Sequence, residues 1–569
     1  MRSAPPASPV FAPPAADYPL RSGPSEPLRR RDIVWIAGLL LLTFLPRALA
    51  AARLGPVCDD GYFYLAVADA YDRGDLRTAL WYLNVNVYPV LLAGFDRLGA
   101  DPLAAAKAWG VAVSTLTVLP LFGWLRRLLD RRVAFAACGL YAVHPEFIEV
   151  SAEPIRDATF WLLAASSLYF FWRAAAERRL WLFASAGLSF ALAAHTRTEG
   201  WLLALPALVW PLVRWREAAG ERRRLVAGTA AAFAMTPLLV LVFNLTVLKG
   251  HDRWEWGKLE HFRLPYLWMT GATATEMPPQ VRPAAVTPPS GATAAPAPRL
   301  AGVAPALAER FGQGESREDA GASSYLRSAA KALEPVPLLL MLVGSVACPR
   351  LLVRREHLVL SAICVAAVVG VWVRQSTLGE INGRYFLVCF FPASGAAGLG
   401  VLYVLSRLER GGARWLPPSR AAAAAAGVAV VIGGAHVAEA VTSDHPSRDR
   451  EAAIGRRLGE RLGADRRVVV LPHACRVGYY AGGRLPVVLL DDTPIESVLA
   501  RHSAEVVILE HDDTPAPRCA DLAARLIARG WTPLDLTGLQ GADPFVVLTG
   551  PTARPAGAER LGEAGTNVR

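Results

Sequence analysis

Long apolar runs separated by short arginine clusters are the feature that most limits what this chain of 569 residues can fold into. Residues 33–52 form an apolar run whose only charge is Arg47, and residues 357–373 form another. A helix needs roughly 20 apolar residues to cross a bilayer. Composition agrees, because 53% of the residues are hydrophobic and 19% are charged, against about 25% charged in soluble proteins. The chain is therefore expected to fold in a membrane, which excludes a secreted enzyme, a fibrous protein and a disordered chain.

The arginine clusters predict an orientation for these segments. Lys and Arg in short loops mark the cytoplasmic side of a membrane. Here every second loop is basic, starting with residues 126–132 after the second apolar segment. This pattern predicts a multi-pass membrane protein with its N-terminus in the cytoplasm and its C-terminal domain outside. We expect about eleven transmembrane helices, near residues 33–52, 103–125, 133–149, 157–173, 180–196, 200–213, 225–248, 336–349, 357–373, 385–405 and 420–440.

Composition and hydropathy also divide the chain into regions. A Pro- and Ala-rich start indicates disorder. After the last apolar segment, strand-like runs at 467–471, 486–490, 505–509 and 545–548 alternate with helical stretches, which predicts a small α/β domain. The predicted regions are a disordered cytoplasmic tail (1–28), a transmembrane domain (29–440) with outer loops at 53–101 and 249–335, an α/β domain outside the membrane (441–553) and a disordered tail (554–569).

The net charge of +11 raises the question of a nucleic-acid partner. Nucleic-acid binding needs basic residues along one face, whereas here they lie in loops between apolar runs, so topology explains them and no nucleic acid is expected. The seven cysteines show no metal-ligand spacing, and several lie inside apolar runs. They are expected to be packing residues rather than a metal site.

A pair of carboxylates follows the first apolar segment directly. Asp59 and Asp60 precede an aromatic stretch at the predicted outer surface. Charges at the edge of a bilayer are costly unless they are paired or hydrated. Adjacent side chains on a helix point apart, so one carboxylate would face a cavity and the other a basic or backbone partner. The structural alternative is a helix start, where Asp caps the helix and complements its dipole.

Three further polar groups lie at the predicted outer surface. Glu153 and Asp157 are four residues apart, so both are expected on one face of a helix that opens with Pro154. Arg197 and its neighbours occupy a very short outward loop, and Arg384 opens a later span. Arg suits bidentate phosphate binding. A structural ion-pair network and anchoring to lipid headgroups are the alternatives for these groups.

In their order and outward placement, these motifs resemble the GT-C superfamily of polytopic glycosyltransferases, close to the protein O-mannosyltransferases and the bacterial aminoarabinose and Rgt-type transferases. The resemblance covers roughly residues 30–440. Asp60 stands where the family has Glu, Thr198 replaces a Pro, and the tryptophan-rich signature of oligosaccharyltransferases is absent. The motifs are Asp59-Asp60-Gly61-Tyr62-Phe63-Tyr64, Tyr88-Pro89, Ser151-Ala152-Glu153-Pro154, Thr196-Arg197-Thr198-Glu199-Gly200 and Gly383-Arg384-Tyr385.

The resemblance implies a location in the cytoplasmic (inner) membrane, a polyprenyl-phosphate-linked sugar as donor and an inverting transfer, outside that membrane, to a lipid, glycan or protein. It implies a carboxylate base, which we assign to Asp59 with Asp60 as the rival, while Glu153 orients the acceptor or the base. Arg384, and after it Arg197, would neutralise the donor phosphate. The substrate-binding residues implied by the motifs are Tyr62, Tyr64, Tyr88, Asp157, Glu199 and Tyr385.

The resemblance also bears on cofactors and on the alternative functions. A divalent metal between the carboxylates is conceivable, but mannosyltransferase-like relatives manage without one, so neither a metal nor any other cofactor is expected. The expected partners are the lipid-linked donor, the acceptor and membrane lipids. One alternative is a polytopic lipid or glycan transporter or flippase without transfer chemistry, which should show paired inverted halves that this sequence lacks. The other is a non-catalytic membrane scaffold whose C-terminal domain binds partners, in which the acidic motifs should tolerate Asn and Gln.

Overall fold

The computed structural model describes residues 29–551 with internal gaps. Both predicted tails, 1–28 and 554–569, lie outside the described residues, as does most of the long outer loop. The gaps are 57, 214–218, 252–253, 263–324, 326–328, 331, 350–354, 379–382, 413–416, 444, 464–465, 472–473, 483–486, 489–494, 511–515 and 537–544.

The described part of the membrane region consists of helices joined by short loops. Short 3-10 helices at Thr198–Leu203, Gly257–Phe262 and Gly383–Phe386 interrupt it. Its α-helices are α1 (Arg30–Arg53), α2 (Asp59–Asp72), α3 (Leu76–Tyr82), α4 (Val87–Arg97), α5 (Pro102–Leu116), α6 (Val118–Leu128), α7 (Arg131–Val143), α8 (Pro145–Ala152), α9 (Asp157–Glu177), α10 (Leu180–Thr196), α11 (Ala204–Val213), α12 (Ala219–Thr246), α13 (Pro335–Ala347), α14 (Arg355–Leu378), α15 (Leu387–Gly412) and α16 (Pro418–Thr442).

Every apolar segment predicted from the sequence lies on a helix. Five described helical stretches are long and apolar enough to cross a membrane, or six when the bent pair α7 and α8 counts as one span. Shorter apolar helices include α10 and α13. The multi-pass helical fold is thus confirmed, while the number of crossings stays a prediction.

The bend between α7 and α8 has a visible cause. The two helices meet at 56°, and Pro145 begins α8, so the backbone hydrogen bonds of α7 cannot continue across the junction. Arg47 of α1, which is fully buried, donates to the carbonyls of Tyr141 and Ala142 at 3.0 and 2.9 Å and to Ser114 Oγ at 2.8 Å. One buried guanidinium thereby satisfies the carbonyls that the break leaves free, and the bend directs α8 toward the outer motif at residues 153–157.

The first outer loop folds into the helices α2, α3 and α4. Polar residues start two of them: Asp75 accepts from the amide of Thr78 at 3.1 Å, and Asn86 accepts from that of Tyr88 at 3.0 Å. Asn86 also donates to the carbonyl of Thr196 at 3.0 Å. This second bond ties the start of α4 to the end of α10, where a predicted arginine motif begins.

The chain ends in a small α/β domain, as predicted from the sequence. Strands β1, β2 and β3 are parallel, while β5 pairs antiparallel with β3 and with the short β4, which the sequence did not indicate. The sheet order is β2-β1-β3-β5-β4. The elements are α17 (Pro446–Leu462), β1 (Val468–Val470), α18 (Cys475–Gly482), β2 (Val487–Val488), α19 (Ile495–His502), β3 (Val506–Glu510), α20 (Ala516–Ile527), β4 (Thr532–Pro533) and β5 (Phe545–Thr549).

Candidate functional site

Carboxylates and guanidiniums from four segments that are distant in sequence lie together at the start of α2. The segments are the start of α2, residues 153–157, residues 197–199 and residues 383–385. Across 324 positions of sequence, Arg384 donates to Asp60 and forms an ion pair with it. The Asp60 side chain is 46% exposed and that of Arg384 is 15% exposed. The pair therefore lies at an opening of the site.

Asp59 is the first residue of α2 and Asp60 the second, so neither is the cap, which is Cys58. The backbone places both residues in the first turn, at the positive end of the helix dipole. The side chain of Asp59 lies outside the described part of the structure, whereas that of Asp60 is bound to Arg384. The expectation that one member of the pair meets a basic partner holds for Asp60, and the choice of base between the two stays a prediction.

Arg197 is buried between two carboxylates. Its guanidinium donates to Asp157 and to Glu199, the latter at 2.9 Å from Nη2 and 3.3 Å from Nε. The side chains of Arg197 and Asp157 are 4% and 2% exposed. Arg197 was predicted to bind the donor phosphate, but both of its described partners are protein carboxylates. This arrangement favours a supporting role for Arg197.

Gly200 makes the tight reversal after Arg197 possible. A Cβ atom there would lie 2.5 Å from the backbone nitrogen of Ala194 and 2.6 Å from the carbonyl carbon of Ala193. The 3-10 helix therefore packs directly on the last turn of α10. The close approach holds Arg197 and Glu199 next to the start of α9.

Tyr385 lies between the two arginine centres. Its ring centroid is 5.0 Å from the guanidinium carbon of Arg197 and 5.9 Å from that of Arg384. Tyr385 is buried, as are Tyr64 and Tyr88, whose rings meet edge to face with centroids 5.6 Å apart. These three predicted substrate-binding tyrosines thus form the apolar wall of the site.

Arg156 belongs to the same cluster, but its guanidinium forms no ion pair with a described carboxylate. It is half-buried and lies over the ring of Tyr64, with 5.5 Å between the guanidinium carbon and the ring centroid. Its guanidinium forms no hydrogen bond or ion pair with any described residue. Arg156 was not among the site residues expected from the sequence. Its position between Pro154 and Asp157, at the predicted outer surface, was the available signal.

Glu153 and Asp157 do not share a helix face, contrary to the expectation from their spacing. Helix α8 ends at Ala152 and α9 begins at Asp157, so the residues between them are not helical. Pro154 explains the break, because the residue before a proline is held in extended conformation. Asp157 consequently points to Arg197, while Glu153 pairs with Arg448.

Glu153 and Tyr62 face the C-terminal domain. Glu153 is 4% exposed, with Arg448 on one carboxylate oxygen and the amide of Cys58 on the other, 3.0 Å away. Tyr62 is 1% exposed, and its ring centroid lies 4.6 Å from that of Tyr479. The structure therefore places both predicted site residues at a domain contact rather than at the opening beside Asp60.

The charges in the cluster are balanced. The carboxylates Asp60, Asp157 and Glu199 face the guanidiniums of Arg156, Arg197 and Arg384, so these six described groups have no net charge. Burial alone would raise the pKa of Asp60, but Arg384, with Arg156 and Arg197 further away, lowers it below its ordinary value. Burial would likewise raise the pKa of Glu199, but Arg197 lowers it to about 2. Both carboxylates are therefore ionised at neutral pH.

The carboxylates of the described residues do not converge on a cation position. No group of three or more His, Cys, Asp or Glu side chains capable of holding a metal ion occurs in that part of the chain. Asp60, Asp157 and Glu199 each meet a guanidinium instead. The chemistry of this donor set suits a phosphate or a sugar hydroxyl.

The sequence profile of the family described as dolichyl-phosphate-mannose-protein mannosyltransferase matches residues 87–242 of this chain. No curated protein matches this chain. The Saccharomyces cerevisiae protein O-mannosyltransferase Pmt1–Pmt2 complex bound to the sugar donor is 17% identical over 39% of this chain, with a TM-score of 0.34. This chain spans about a third of that relative, with 34% of it covered.

Two further solved structures match most of this chain. One is ArnT from Cupriavidus metallidurans bound to undecaprenyl phosphate, 12% identical, covering 91% of this chain and 97% of that one, with a TM-score of 0.51. The other is the oligosaccharyltransferase AglB from Archaeoglobus fulgidus in complex with an inhibitory peptide and a dolichol-phosphate, 12% identical, covering 93% and 76%, also with a TM-score of 0.51. The chain has the GT-C fold, and the resemblance to the GT-C superfamily is confirmed.

Proposed function

We propose that this multi-pass membrane protein of the GT-C fold is a glycosyltransferase that moves a sugar from a polyprenyl-phosphate-linked donor to a lipid, glycan or protein acceptor. The reaction takes place on the outer face of the cytoplasmic membrane and inverts the anomeric carbon. The N-terminus is cytoplasmic and the C-terminal domain lies outside. The basic loops support this orientation.

The observation that carries the proposal is the cluster itself. Asp60, Asp157 and Glu199 come from three segments, and each is ion-paired with an arginine at one end of the helices. Buried charge of this kind is costly in a membrane protein and typically marks a substrate pathway. The profile match to the mannosyltransferase family includes the segments that carry Asp157 and Glu199.

The chemistry needs one base and one anion site. A sugar that leaves on a phosphate needs little protonation, because the phosphate is a weak base, so a single carboxylate that takes the proton of the acceptor hydroxyl is sufficient. We assign this base to Asp59, with Asp60 as the rival. Asp60 is a weak base while Arg384 holds it, because that ion pair stabilises the ionised form.

Arg156 and Arg384 are the proposed phosphate ligands. Arg156 has no carboxylate to exchange among the described residues, and it lies over Tyr64 at the half-buried edge of the cluster. Arg384 forms an ion pair with Asp60, whose side chain is 46% exposed, so this pair lies where a ligand can reach it. As the donor bond breaks, negative charge grows on the departing phosphate, and two guanidiniums in a site of low polarity stabilise it.

A narrow apolar groove between helices is where we propose that the lipid tail of the donor begins. It lies between α9, α10, α11 and α12 and is lined by Phe171, Phe190, Leu203 and Phe233 among others. Leu203 is four residues after Glu199 in the 3-10 helix that follows Arg197. The start of a polyprenyl chain in this groove would place its phosphate end toward the arginine cluster. The matched structures contain undecaprenyl phosphate and dolichol-phosphate. Sugars carried on these two kinds of polyprenyl phosphate are therefore the donors to test first.

The experiment compares surface glycans and glycolipids by mass spectrometry in cells with and without the protein. Cells that carry Asp59→Asn or Asp60→Asn are analysed in parallel. Loss of one sugar-bearing species on deletion and in one of these two variants, at normal membrane levels, is the expected result. The mass difference identifies the sugar and the acceptor class.

Asp69→Asn is the matched control. Asp69 lies on the same helix α2 and forms an ion pair with Arg73 at 2.8 Å, away from the cluster. Exposed pairs of this kind contribute at most about 1 kcal/mol, so this variant should keep full modification. Full modification by both cluster variants would remove the base assignment and would favour the transporter or flippase alternative.

A further inference from the structure

The C-terminal domain contacts the start of the acidic helix α2 by two routes. The first runs from Arg448 of α17 to Glu153. The second runs from Tyr479 of α18 to Tyr62 of α2, with ring centroids 4.6 Å apart. The two routes are linked, because Arg476 of α18 forms an ion pair with Glu451 of α17. One unit of the C-terminal domain therefore contacts α2 on both sides of its first turn.

Glu153 closes the N-terminus of α2 in place of a side-chain cap. The cap residue Cys58 makes no side-chain hydrogen bond of its own to the helix. Instead, its amide donates to Glu153 Oε2 at 3.0 Å, and Arg448 holds the other carboxylate oxygen. A carboxylate at the start of a helix satisfies a free amide and complements the helix dipole. The two residues that follow Cys58 are Asp59 and Asp60.

The packing behind Glu153 leaves it little freedom. Gly110 of α5 approaches the carbonyl oxygen of Ser151 so closely that a Cβ atom there would lie 2.5 Å from it. The end of α8, directly before Glu153, is thus packed tightly against α5. A shift of Arg448 would reach α2 through Glu153, because one carboxylate binds both.

We propose that Glu153 and Arg448 are positioning residues through which the C-terminal domain fixes the start of α2, and with it the Asp59–Asp60 pair. The catalytic meaning of this link rests on the proposed function. The link itself does not, since it consists of contacts between described residues. It assigns to the C-terminal domain the task of holding the acidic pair rather than of contacting the donor.

Cys58 is a built-in reporter of the junction. It is partly exposed, and its rate of alkylation by iodoacetamide can be followed for its own peptide by mass spectrometry. Burial, together with the charges of Glu153 and Asp60, raises the pKa of its thiol, while Arg384 and Arg448 oppose this. The thiolate is the reactive form.

The variant Arg448→Gln should affect the alkylation rate of Cys58 in two opposite ways, one through charge and one through the position of α2. Loss of a nearby positive charge disfavours the thiolate, so electrostatics alone predicts slower alkylation. Loss of the link loosens the start of α2 and predicts faster alkylation. We expect alkylation of Cys58 to be roughly 10-fold faster at pH 8, because a hydrogen bond to a charged group is worth at least one decade in an opening equilibrium. An unchanged or slower rate would overturn the proposal.

Two variants complete the experiment. Arg450 lies on the same helix and is exposed, so Arg450→Gln should leave the alkylation rate of Cys58 unchanged. An equal acceleration in this variant would contradict the link through Glu153. Tyr479→Ala leaves every charge in place and removes the second route, so it tests the proposal even if Arg448→Gln does not accumulate. Faster alkylation is again expected, and an unchanged rate would count against the proposal.

Transfer kinetics provide a second readout that separates this proposal from the function. In Arg448→Gln we expect kcat to fall while the affinity for undecaprenyl phosphate stays within twofold, because the phosphate ligands are untouched. Equal loss of both would indicate general damage to the site. If the protein transfers no sugar, the alkylation result still decides the link, so the two proposals fail independently.

Discussion

Two arginines of the same cluster should respond to the same substitution in opposite ways. Arg197 is 4% exposed and neutralises Asp157 and Glu199. Arg197→Gln leaves the buried Asp157 and the partly exposed Glu199 without their ion-pair partner, which costs about 3–5 kcal/mol. Arg156 is half-buried and forms no ion pair with a described residue, so Arg156→Gln should change stability by less than about 0.5 kcal/mol.

Ligand binding should show the reverse order. If Arg156 holds the donor phosphate, its loss removes charge-assisted hydrogen bonds worth about 1.5–3 kcal/mol, which is roughly 10- to 150-fold in affinity. Arg197→Gln should weaken binding less, in the fraction that remains folded, because its guanidinium is already bound to carboxylates.

The assay combines a thermal scan of the detergent-solubilised protein with a titration of undecaprenyl phosphate. At about 2 °C per kcal/mol for a large domain, Arg197→Gln should lower the apparent melting temperature by roughly 6–10 °C, and Arg156→Gln by about 1 °C or less. Equal melting losses for the two variants would refute the assignment of roles. So would undiminished binding of undecaprenyl phosphate by Arg156→Gln.

Three more predictions concern the same site. Gly200→Ala should displace the turn that carries Arg197, because its Cβ would lie 2.5 Å from backbone; hydrogen exchange of residues 197–203 should rise, and unchanged exchange would contradict the close packing. Arg197 lowers the pKa of Glu199 from 4.5 to about 2, so this pair stabilises the fold fully above pH 4.5 and loses its effect as the pH falls toward 2. The melting difference between wild type and Glu199→Gln should accordingly be constant from pH 8 to about 5.5 and shrink below about 4.5; a difference that grew on acidification would have the wrong sign. Sugar transfer should persist in excess EDTA, because Asp60, Asp157 and Glu199 are paired with arginines; restoration by added Mg²⁺ or Mn²⁺ after a loss would contradict this.

The helical fold could be predicted from the sequence because lipid imposes a simple rule. Each apolar run long enough for a span became a helix, and the strand-like runs after residue 441 became strands. The exact breaks could not be predicted. The bend between α7 and α8 depends on Arg47, whose hydrogen bonds reach residues more than 60 positions away.

The sequence predicted several of the residues that lie in the cluster, but not which carboxylate each arginine contacts. Outward position and residue type identified Asp60, Arg384 and Arg197 together, and the structure brings all three to one cluster. The partner of each arginine depends on three-dimensional packing. Glu153 appeared equivalent to Asp157 by its spacing, but the extended turn before Pro154 directs it to Arg448 instead.

The contacts of Arg156 and Arg448 could not be predicted from the sequence. Both are arginines at the predicted outer surface, but Arg448 lies in a charged segment where no single residue is conspicuous. Only the structure shows that Arg448 is paired with a buried carboxylate and that Arg156 has no carboxylate among the described residues. Distinguishing a structural arginine from one available to a ligand required the contacts.

The most direct test of the central claim is a transfer reaction with purified protein. The protein is incubated with the total polyprenyl-phosphate-linked sugars and the acceptor membranes of its host, and both pools are followed by mass spectrometry. The account predicts that one lipid-linked sugar is consumed as free polyprenyl phosphate and one glycoconjugate appear in equal amounts, with no turnover in the inactive aspartate variant. Consumption of none of these donors, or wild-type turnover by both Asp59→Asn and Asp60→Asn, would contradict it.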